Sequence, residues 1–140
     1  MNPCIHREHC GGCIYQDIPY EEQLVLKAKE VMRHFSNNQV DVEKFLGIEG
    51  SPQRYSYRNK MEYSFGDENK GGDLALGLHK AGHYYSIITT DHCQIVDEDF
   101  NMILKSTLEF CRDKAYDYYH KKGAQRAAAP PHYTKRAKDG

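Results

Sequence analysis

Three cysteines stand within ten residues near the start of the chain, in the segment CIHREHCGGC (residues 4–13). Cys10 and Cys13 are separated only by two glycines, and Cys4 lies six positions before Cys10. Thiolates at this spacing can converge on one soft metal centre, because a tight turn points their side chains inward. Glycines tolerate positive φ and let backbone N–H groups approach the sulfurs. The loop therefore predicts metal or cluster chemistry.

A fourth ligand must come from elsewhere, and Cys93 in the segment TTDHCQI is the best candidate, since it follows a predicted strand. Spacing alone leaves three kinds of site open. They are a structural zinc site, with His6 or His9 as substitute ligands, an iron–sulfur cluster, and a redox dithiol. Cys111 differs, because it lies on the apolar stripe of a predicted helix and is expected to be a core residue.

Composition describes a water-soluble globular chain of one domain. The 140 residues are 39% hydrophobic and 28% charged, with a formal net charge of −1. No apolar run approaches the ~18–20 residues that span a bilayer, and no secretory signal pattern opens the chain. We therefore expect a cytoplasmic protein without a membrane partner, a monomer whose thiols stay reduced. Residues 112–140 carry eight basic against three acidic residues, the one basic region of the chain.

Hydrophobic periodicity predicts the elements that must position the cysteines. Residues 17–36 carry a helical stripe, and so do residues 97 to about 119. Between them, residues 55–65, 74–80 and 83–90 predict three strands of an antiparallel meander. Residues from about 121 onward show no amphipathic period and are expected to form a mobile basic tail. The fold class is therefore α+β, a small meander with two amphipathic helices behind a cysteine-rich loop.

Three blocks of this sequence, in order, resemble the bacterial RNA (uracil-5)-methyltransferases, which include the 23S ribosomal RNA enzymes. The blocks are the cysteine loop with Gln16, the strand YRNKMEYSF from Tyr57, and the hairpin segment LGLHKAGHYYSIITTDHC. The resemblance covers residues 4 to about 104. It implies a [4Fe-4S] cluster on Cys4, Cys10, Cys13 and Cys93, with residues 1–18 as the cluster loop and residues 19–140 as part of a central RNA-recognition domain.

In that family, catalysis belongs to a C-terminal Rossmann-like domain that binds S-adenosylmethionine, and nothing in these residues resembles that domain. We therefore expect a fragment without catalytic or S-adenosylmethionine-binding residues, cut from an enzyme that acts on RNA, in particular 23S ribosomal RNA. Tyr133, Lys135 and Gly140 look like the lead-in to the family's next strand. A stand-alone zinc-binding nucleic-acid module is the alternative, and a small ferredoxin-like carrier is a weaker one.

By resemblance, the central segment helps to grip structured RNA. Arg58 and Lys60 share one face of the predicted first strand, about 7 Å apart by strand rise, a spacing comparable to that of successive phosphates. Aromatic side chains could stack on unpaired bases. The full set of expected RNA contacts is Arg54, Tyr55, Arg58, Lys60, His79, Lys80, His83 and Tyr84. The cluster itself should have a structural role, because it closes a loop of about eighty residues.

Overall fold

The computed structural model describes residues 3–119 and 134–136 and confirms the α+β class. Its elements, in chain order, are α1 (Tyr20–Asn37), β1 (Lys60–Glu62), β2 (Ser64–Asp67), β3 (Leu74–Lys80), β4 (His83–Thr89), α2 (Glu98–Asp113) and β5 (Thr134–Arg136). Both helices and the hairpin of β3 and β4 lie close to their predicted positions. No described helix combines the length and the apolar character needed to cross a membrane.

Strands β2, β3 and β4 form the predicted antiparallel meander. Ser64 pairs with Gly77, and Leu78 pairs with Ile88, before the register shifts between His79 and Lys80. Gly77 is obligatory at its position, because a Cβ there would collide with the main-chain oxygen of Ile88. The meander therefore depends on a backbone approach that only glycine allows.

The prediction of one continuous strand over residues 55–65 is wrong. The structure has two short strands here, β1 and β2, which belong to different sheets. Met61 is buried between exposed Lys60 and Glu62, so the predicted alternation holds within β1. Residues 55–59 lie outside any strand. The chain changes its hydrogen-bonding partner at Tyr63, which explains the break.

The partner of β1 is β5, which pairs with it antiparallel through Met61 opposite Lys135. The prediction of a tail without structure is therefore wrong for residues 134–136, where the backbone finds a partner more than seventy residues away. The expected lead-in strand near Lys135 agrees with this pairing. The rest of the predicted tail, residues 120–133 and 137–140, lies outside the described residues.

Helix α2 supplies the core that supports the meander. Leu104 and Leu108 from α2 pack with Leu76 of β3, and Tyr63 and Phe65 lie against this cluster. Asp97 caps the helix by accepting a hydrogen bond from the Asp99 N–H, 3.1 Å away. The helix ends at Asp113 and not near Tyr119, because Ala115 adopts a left-handed φ of 52°.

The chain divides into two compact units, one formed by the residues up to Cys13 with those from Gln53 onward, the other by Ile14–Pro52. The second unit consists of α1 with its flanking segments. The Gln23 side chain stabilises the start of α1 by donating hydrogen bonds to the carbonyls of Tyr15 and Ile18. None of the α1 residues is buried. The division into residues 1–18 and 19–140 stays a prediction.

Candidate metal centre and nucleic-acid surface

The cysteine loop is held against the tip of the β3–β4 hairpin by main-chain bonds. Cys10 forms an isolated antiparallel bridge with Lys80. The Gly11 N–H donates to the His79 carbonyl over 3.1 Å, and the Ala81 N–H donates to the His9 carbonyl over 2.7 Å. The loop therefore has a fixed position on the sheet, as a pre-organised ligand set requires.

The two glycines of this loop serve close approach and do not use the positive φ that glycine tolerates. The glycines with positive φ in the described chain are Gly47, Gly71 and Gly82. A Cβ on Gly11 would lie 3.1 Å from the His79 carbonyl oxygen, and a Cβ on Gly12 would lie 3.0 Å from Leu78 Cδ1, so side chains at these positions would crowd the contact with the hairpin. The Gly12 N–H does approach the Cys10 sulfur, at 3.3 Å, as expected.

The structure brings the four predicted cysteine ligands together. Burial raises the pKa of Cys13, and the negative charges of Cys93, Cys10 and Cys4 raise it further. The pKa of Cys93 is also raised, first by burial and then by the charges of Cys4 and Cys10, although backbone hydrogen bonds partly oppose this. Interactions of this kind require the thiols to be neighbours. All four are only partly buried and carry no disulfide.

Asn101 is the residue of this site that sequence reasoning missed. Its side chain accepts from the Cys93 N–H at 2.9 Å and donates to the Cys93 carbonyl at 3.2 Å. The same amide nitrogen donates to Glu98 at 3.0 Å, and Asn101 is only 4% exposed. The available signal was a polar residue in phase with Leu104, Leu108 and Cys111 on the buried face of α2. Asn101 fixes the loop that carries Cys93.

Two further side chains lie close enough to the thiols to affect them. Arg58 lowers the pKa of Cys13 through its positive charge, against the larger effects of burial and the other cysteines. Its own Nε donates to the Lys60 carbonyl at 3.2 Å. Burial and the charge of Cys93 raise the pKa of Tyr63 to about 12. Arg58 therefore supplies a cation beside a group of sulfurs that become anionic when they bind metal.

A second group of potential ligands lies beside the cysteines in sequence. His6, Asp91 and His92 bring one nitrogen or oxygen atom each to within 4.8 Å of one another. Two of the three residues are partly buried and His92 is exposed.

The predicted RNA contacts fall into two groups. Arg54, Tyr55, Arg58 and Lys60 occupy the exposed segment that leads into β1. Lys60 forms an ion pair of 2.7 Å with Glu62, both side chains being largely exposed. The Glu62 carboxylate consequently competes with any phosphate for this lysine, and the charge of Arg58 acts on the Cys13 thiol. Their assignment as a pair of phosphate contacts stays a prediction.

The second group lies at the tip of the β3–β4 hairpin, where His79 and Tyr84 stack at 5.7 Å between ring centroids with planes 18° apart. Tyr85, which sequence reasoning missed, meets Tyr84 edge-on at 5.3 Å and is 83% exposed. Lys80 is paired with Glu68 at 3.1 Å, and His83 is exposed. The tip therefore presents a cluster of exposed aromatic rings to solvent.

Cys111 lies apart from the other four cysteines, as predicted. It is 6% exposed on the buried face of α2, and burial alone raises its pKa. The prediction that the fifth cysteine is a core residue is confirmed.

Comparison with known proteins finds relatives that are named as uncharacterized RNA methyltransferases. The chain is 52% identical over 110 residues to an uncharacterized RNA methyltransferase of Clostridium tetani, covering 79% of this chain and 24% of that protein. A second from Caldanaerobacter subterraneus is 46% identical over 121 residues, covering 86% and 27%. A third, from Staphylococcus aureus, is 29% identical over 128 residues, covering 89% and 28%. No family model matches the chain.

The chain thus spans about a quarter of the length of the curated relatives it matches. The similarity extends over most of this chain, and it supports a relationship to one segment of RNA methyltransferases.

Proposed function

We propose that this chain is the cluster-bearing, RNA-positioning segment of an S-adenosylmethionine-dependent RNA (uracil-5)-methyltransferase that modifies 23S ribosomal RNA in the cytoplasm. The whole enzyme would act as a monomer through a C-terminal catalytic domain, and this segment would contribute no catalytic residue. One observation carries the proposal. The cysteine loop and Cys93, eighty residues apart, bring four thiols together in a chain that resembles RNA methyltransferases over 79% of its length.

The site has the chemistry that a [4Fe-4S] cluster needs. Four thiols are the usual ligand set, and N–H groups directed at the sulfurs and nearby cations stabilise its negative charge. The Gly12 N–H and Arg58 have those two properties. Four thiols can also hold a single zinc ion. The metal content of the protein decides between the two.

The metal content of anaerobically purified protein tests this part of the proposal. We expect a brown protein with about four iron and four sulfide per chain. The Cys93→Ser variant should lose the colour, whereas the Cys111→Ser variant should keep it, because Cys111 lies in the core. A colourless wild-type protein with one zinc bound by sulfur would favour the stand-alone zinc module instead.

The RNA-binding part of the proposal depends on the hairpin tip. The rings of Tyr84 and Tyr85 are 75% and 83% exposed, so they add little to the core and offer flat surfaces to unpaired bases. His79 already stacks on Tyr84, and the main-chain bonds from the cysteine loop brace the same tip. A bound cluster would therefore stabilise the surface that meets the RNA.

A titration of labelled single-stranded RNA with the full chain tests this surface. Stacking contributes about 1–3 kcal/mol per base, so the double variant Tyr84→Ala, Tyr85→Ala should bind about tenfold more weakly or worse. Tyr116→Ala, which removes a 46% exposed ring after α2, is the matched control. Equal affinity of the double variant and the wild type would remove the hairpin tip from the RNA surface.

The activity itself would be tested on the whole enzyme that this proposal implies. Deletion of the gene should remove one 5-methyluridine from 23S ribosomal RNA, detected by mass spectrometry of nuclease digests. Purified full-length enzyme should restore it with S-adenosylmethionine as methyl donor. Loss of a methyl group from transfer RNA alone would overturn the ribosomal assignment and leave the uracil-5 chemistry intact.

A further inference from the structure

We propose that His6, Asp91 and His92 form a second, mononuclear site for a divalent cation of the zinc class, distinct from the four cysteines. This inference does not depend on the proposed function. The three residues come from the start of the cysteine loop and from the segment after β4. A cation there would join the same two segments that the cysteines join.

The ligand geometry suits one small ion. His6 Nε2 lies 3.5 Å from Asp91 Oδ1, and His92 Nδ1 lies 3.0 Å from the same oxygen. Zinc binds nitrogen at about 2.0–2.1 Å and carboxylate oxygen at about 2.0–2.2 Å, which places neighbouring tetrahedral ligands about 3.3–3.5 Å apart. The two imidazole rings are tilted at 45° with centroids 6.3 Å apart, so both can direct a nitrogen to a common point.

The clearest sign of a missing partner is the His6 ring. Its Nε2 is buried, and it makes no hydrogen bond within the part of the chain that the structure describes. The Asp91 oxygen is near enough for an ion pair, but the contact lacks hydrogen-bond geometry. A buried polar atom without a partner costs free energy, so such atoms are usually satisfied. A cation between His6 and Asp91 would satisfy it.

The donor set selects the class of metal. Two imidazoles and one carboxylate suit zinc, iron(II), cobalt and nickel, whereas magnesium and calcium prefer oxygen ligands alone. Exposure rises from 15% for the His6 side chain through 27% for Asp91 to 61% for His92. The fourth position would therefore face solvent on the His92 side.

The test is equilibrium dialysis of the full chain against Zn²⁺, with metal content by mass spectrometry and zinc-edge X-ray absorption. After anaerobic cluster reconstitution, wild type should hold one zinc equivalent beyond its iron, with nitrogen and oxygen neighbours and no sulfur. Asp91→Asn, nearly the same shape, should bind that equivalent at least tenfold more weakly, because changes even outside the ligand shell cost 10–100-fold. His9→Ala, an exposed histidine of the same loop, should bind as wild type does.

Failure of the cluster and failure of this site give different results. If the cysteines take zinc instead of iron, one equivalent shows sulfur neighbours, and the nitrogen- and oxygen-bound equivalent must still appear and still disappear in Asp91→Asn. The inference is overturned if wild type holds no zinc with nitrogen and oxygen ligands alone. It is equally overturned if Asp91→Asn and His92→Ala retain wild-type affinity, and the use of both guards against one variant that misfolds.

Discussion

Asn101 is a buried amide that forms two hydrogen bonds with the main chain of Cys93. These bonds involve no sulfur, but they fix the Cys93 main chain and therefore the position of its side chain. Glu98, three residues earlier in α2, accepts a hydrogen bond from the same amide. Residues of this type, which orient a ligand from outside, usually affect metal retention strongly. The position of one thiol therefore depends on a helix that carries none of the four ligands.

We expect Asn101→Ala to lower the free energy of unfolding by about 1–3 kcal/mol, because both main-chain groups of Cys93 lose their buried partner. The variant should also lose its cluster faster in air, measured by the decay of visible absorbance in folded protein. Lys105→Ala on the exposed face of α2 is the control. If the absorbance of Asn101→Ala decays at the wild-type rate, the hydrogen bonds between Asn101 and Cys93 do not contribute to cluster retention.

Tyr63 gives a pH-dependent prediction at the same scale. Its pKa is about 12 in the folded chain, first through burial and then through the charge of Cys93, and about 10 in an unfolded chain. The unfolded state therefore loses the phenol proton first, and stability falls as pH rises from about 10 to about 12. Tyr63→Phe should remove this part of the loss.

Urea unfolding at pH 8 and pH 11 measures the effect. The Tyr63 hydroxyl is buried and makes no hydrogen bond in the described chain, so Tyr63→Phe should be close to wild type at pH 8. At pH 11 it should be the more stable of the two. Tyr119→Phe, a change at an exposed ring, corrects for general alkaline effects. If wild type, Tyr63→Phe and Tyr119→Phe lose the same free energy of unfolding between pH 8 and pH 11, Tyr63 does not contribute to the alkaline loss of stability.

At the level of single residues, the cysteines could be proposed as ligands from the sequence because their type and spacing are chemically specific, and the ligand set stays a prediction. Asn101 could not be identified from chemistry alone, because an asparagine on a helix has many structural uses. From the sequence, His6 is a substitute zinc ligand of the cysteine site or a neighbour of the cluster, and not part of a separate site. Its relation to Asp91 and His92 depends on how far the loop folds back onto the end of β4, and local patterns carry no information about that distance.

At the level of elements, the hairpin of β3 and β4 carries three features of the molecule. It contacts the cysteine loop, it presents the exposed aromatic rings at its tip, and it contributes to the core. Gly77 lies in its middle and packs against the Ile88 backbone. Gly77→Ala should cost several kcal/mol, on the order of the largest single-residue effects, because backbone atoms cannot move aside. The variant should unfold at a much lower temperature and fail to retain the cluster.

Gly82 in the turn of the same hairpin is the matched comparison. It has a φ of 72°, and a Cβ there would meet nothing within 4 Å. Asparagine tolerates this backbone conformation, so Gly82→Asn should cost well under half as much as Gly77→Ala. Thermal unfolding of the two variants under one set of conditions decides the point, and equal losses would contradict the close-approach explanation.

Elements built from neighbouring residues were predictable, and elements built from distant partners were not. The period of α2 and the alternation of β3 and β4 are local properties that the chain displays directly. The break at Tyr63 and the short strand β5 arise because β1 pairs with residues 134–136, which no local pattern links to it. The fold class survives this error because both sheets remain antiparallel.

At the level of the whole molecule, a metal centre bound by the four thiols, as proposed, would connect the first residues of the chain to the end of the meander. Closing a loop of about eighty residues removes unfolded-state entropy equivalent to about 4 kcal/mol in the chain-entropy model. A metal that binds the folded state but not the unfolded state increases the free energy of unfolding further. Much of the stability of the cysteine loop should therefore depend on the bound metal centre.

The comparison of Cys10→Ala with Cys111→Ala tests this dependence with two changes of identical chemistry. Cys10→Ala should abolish the visible absorbance and lower the unfolding temperature of anaerobic protein to that of chelator-treated wild type. Cys111→Ala should keep full absorbance and lose only about 1 kcal/mol, because it removes one small buried group from the core. In protein prepared without zinc, chelator treatment should then destabilise Cys111→Ala as much as wild type and leave Cys10→Ala unchanged. If chelator shifts the unfolding temperature of Cys10→Ala by the same amount, the metal centre does not need Cys10, and the ligand set is wrong.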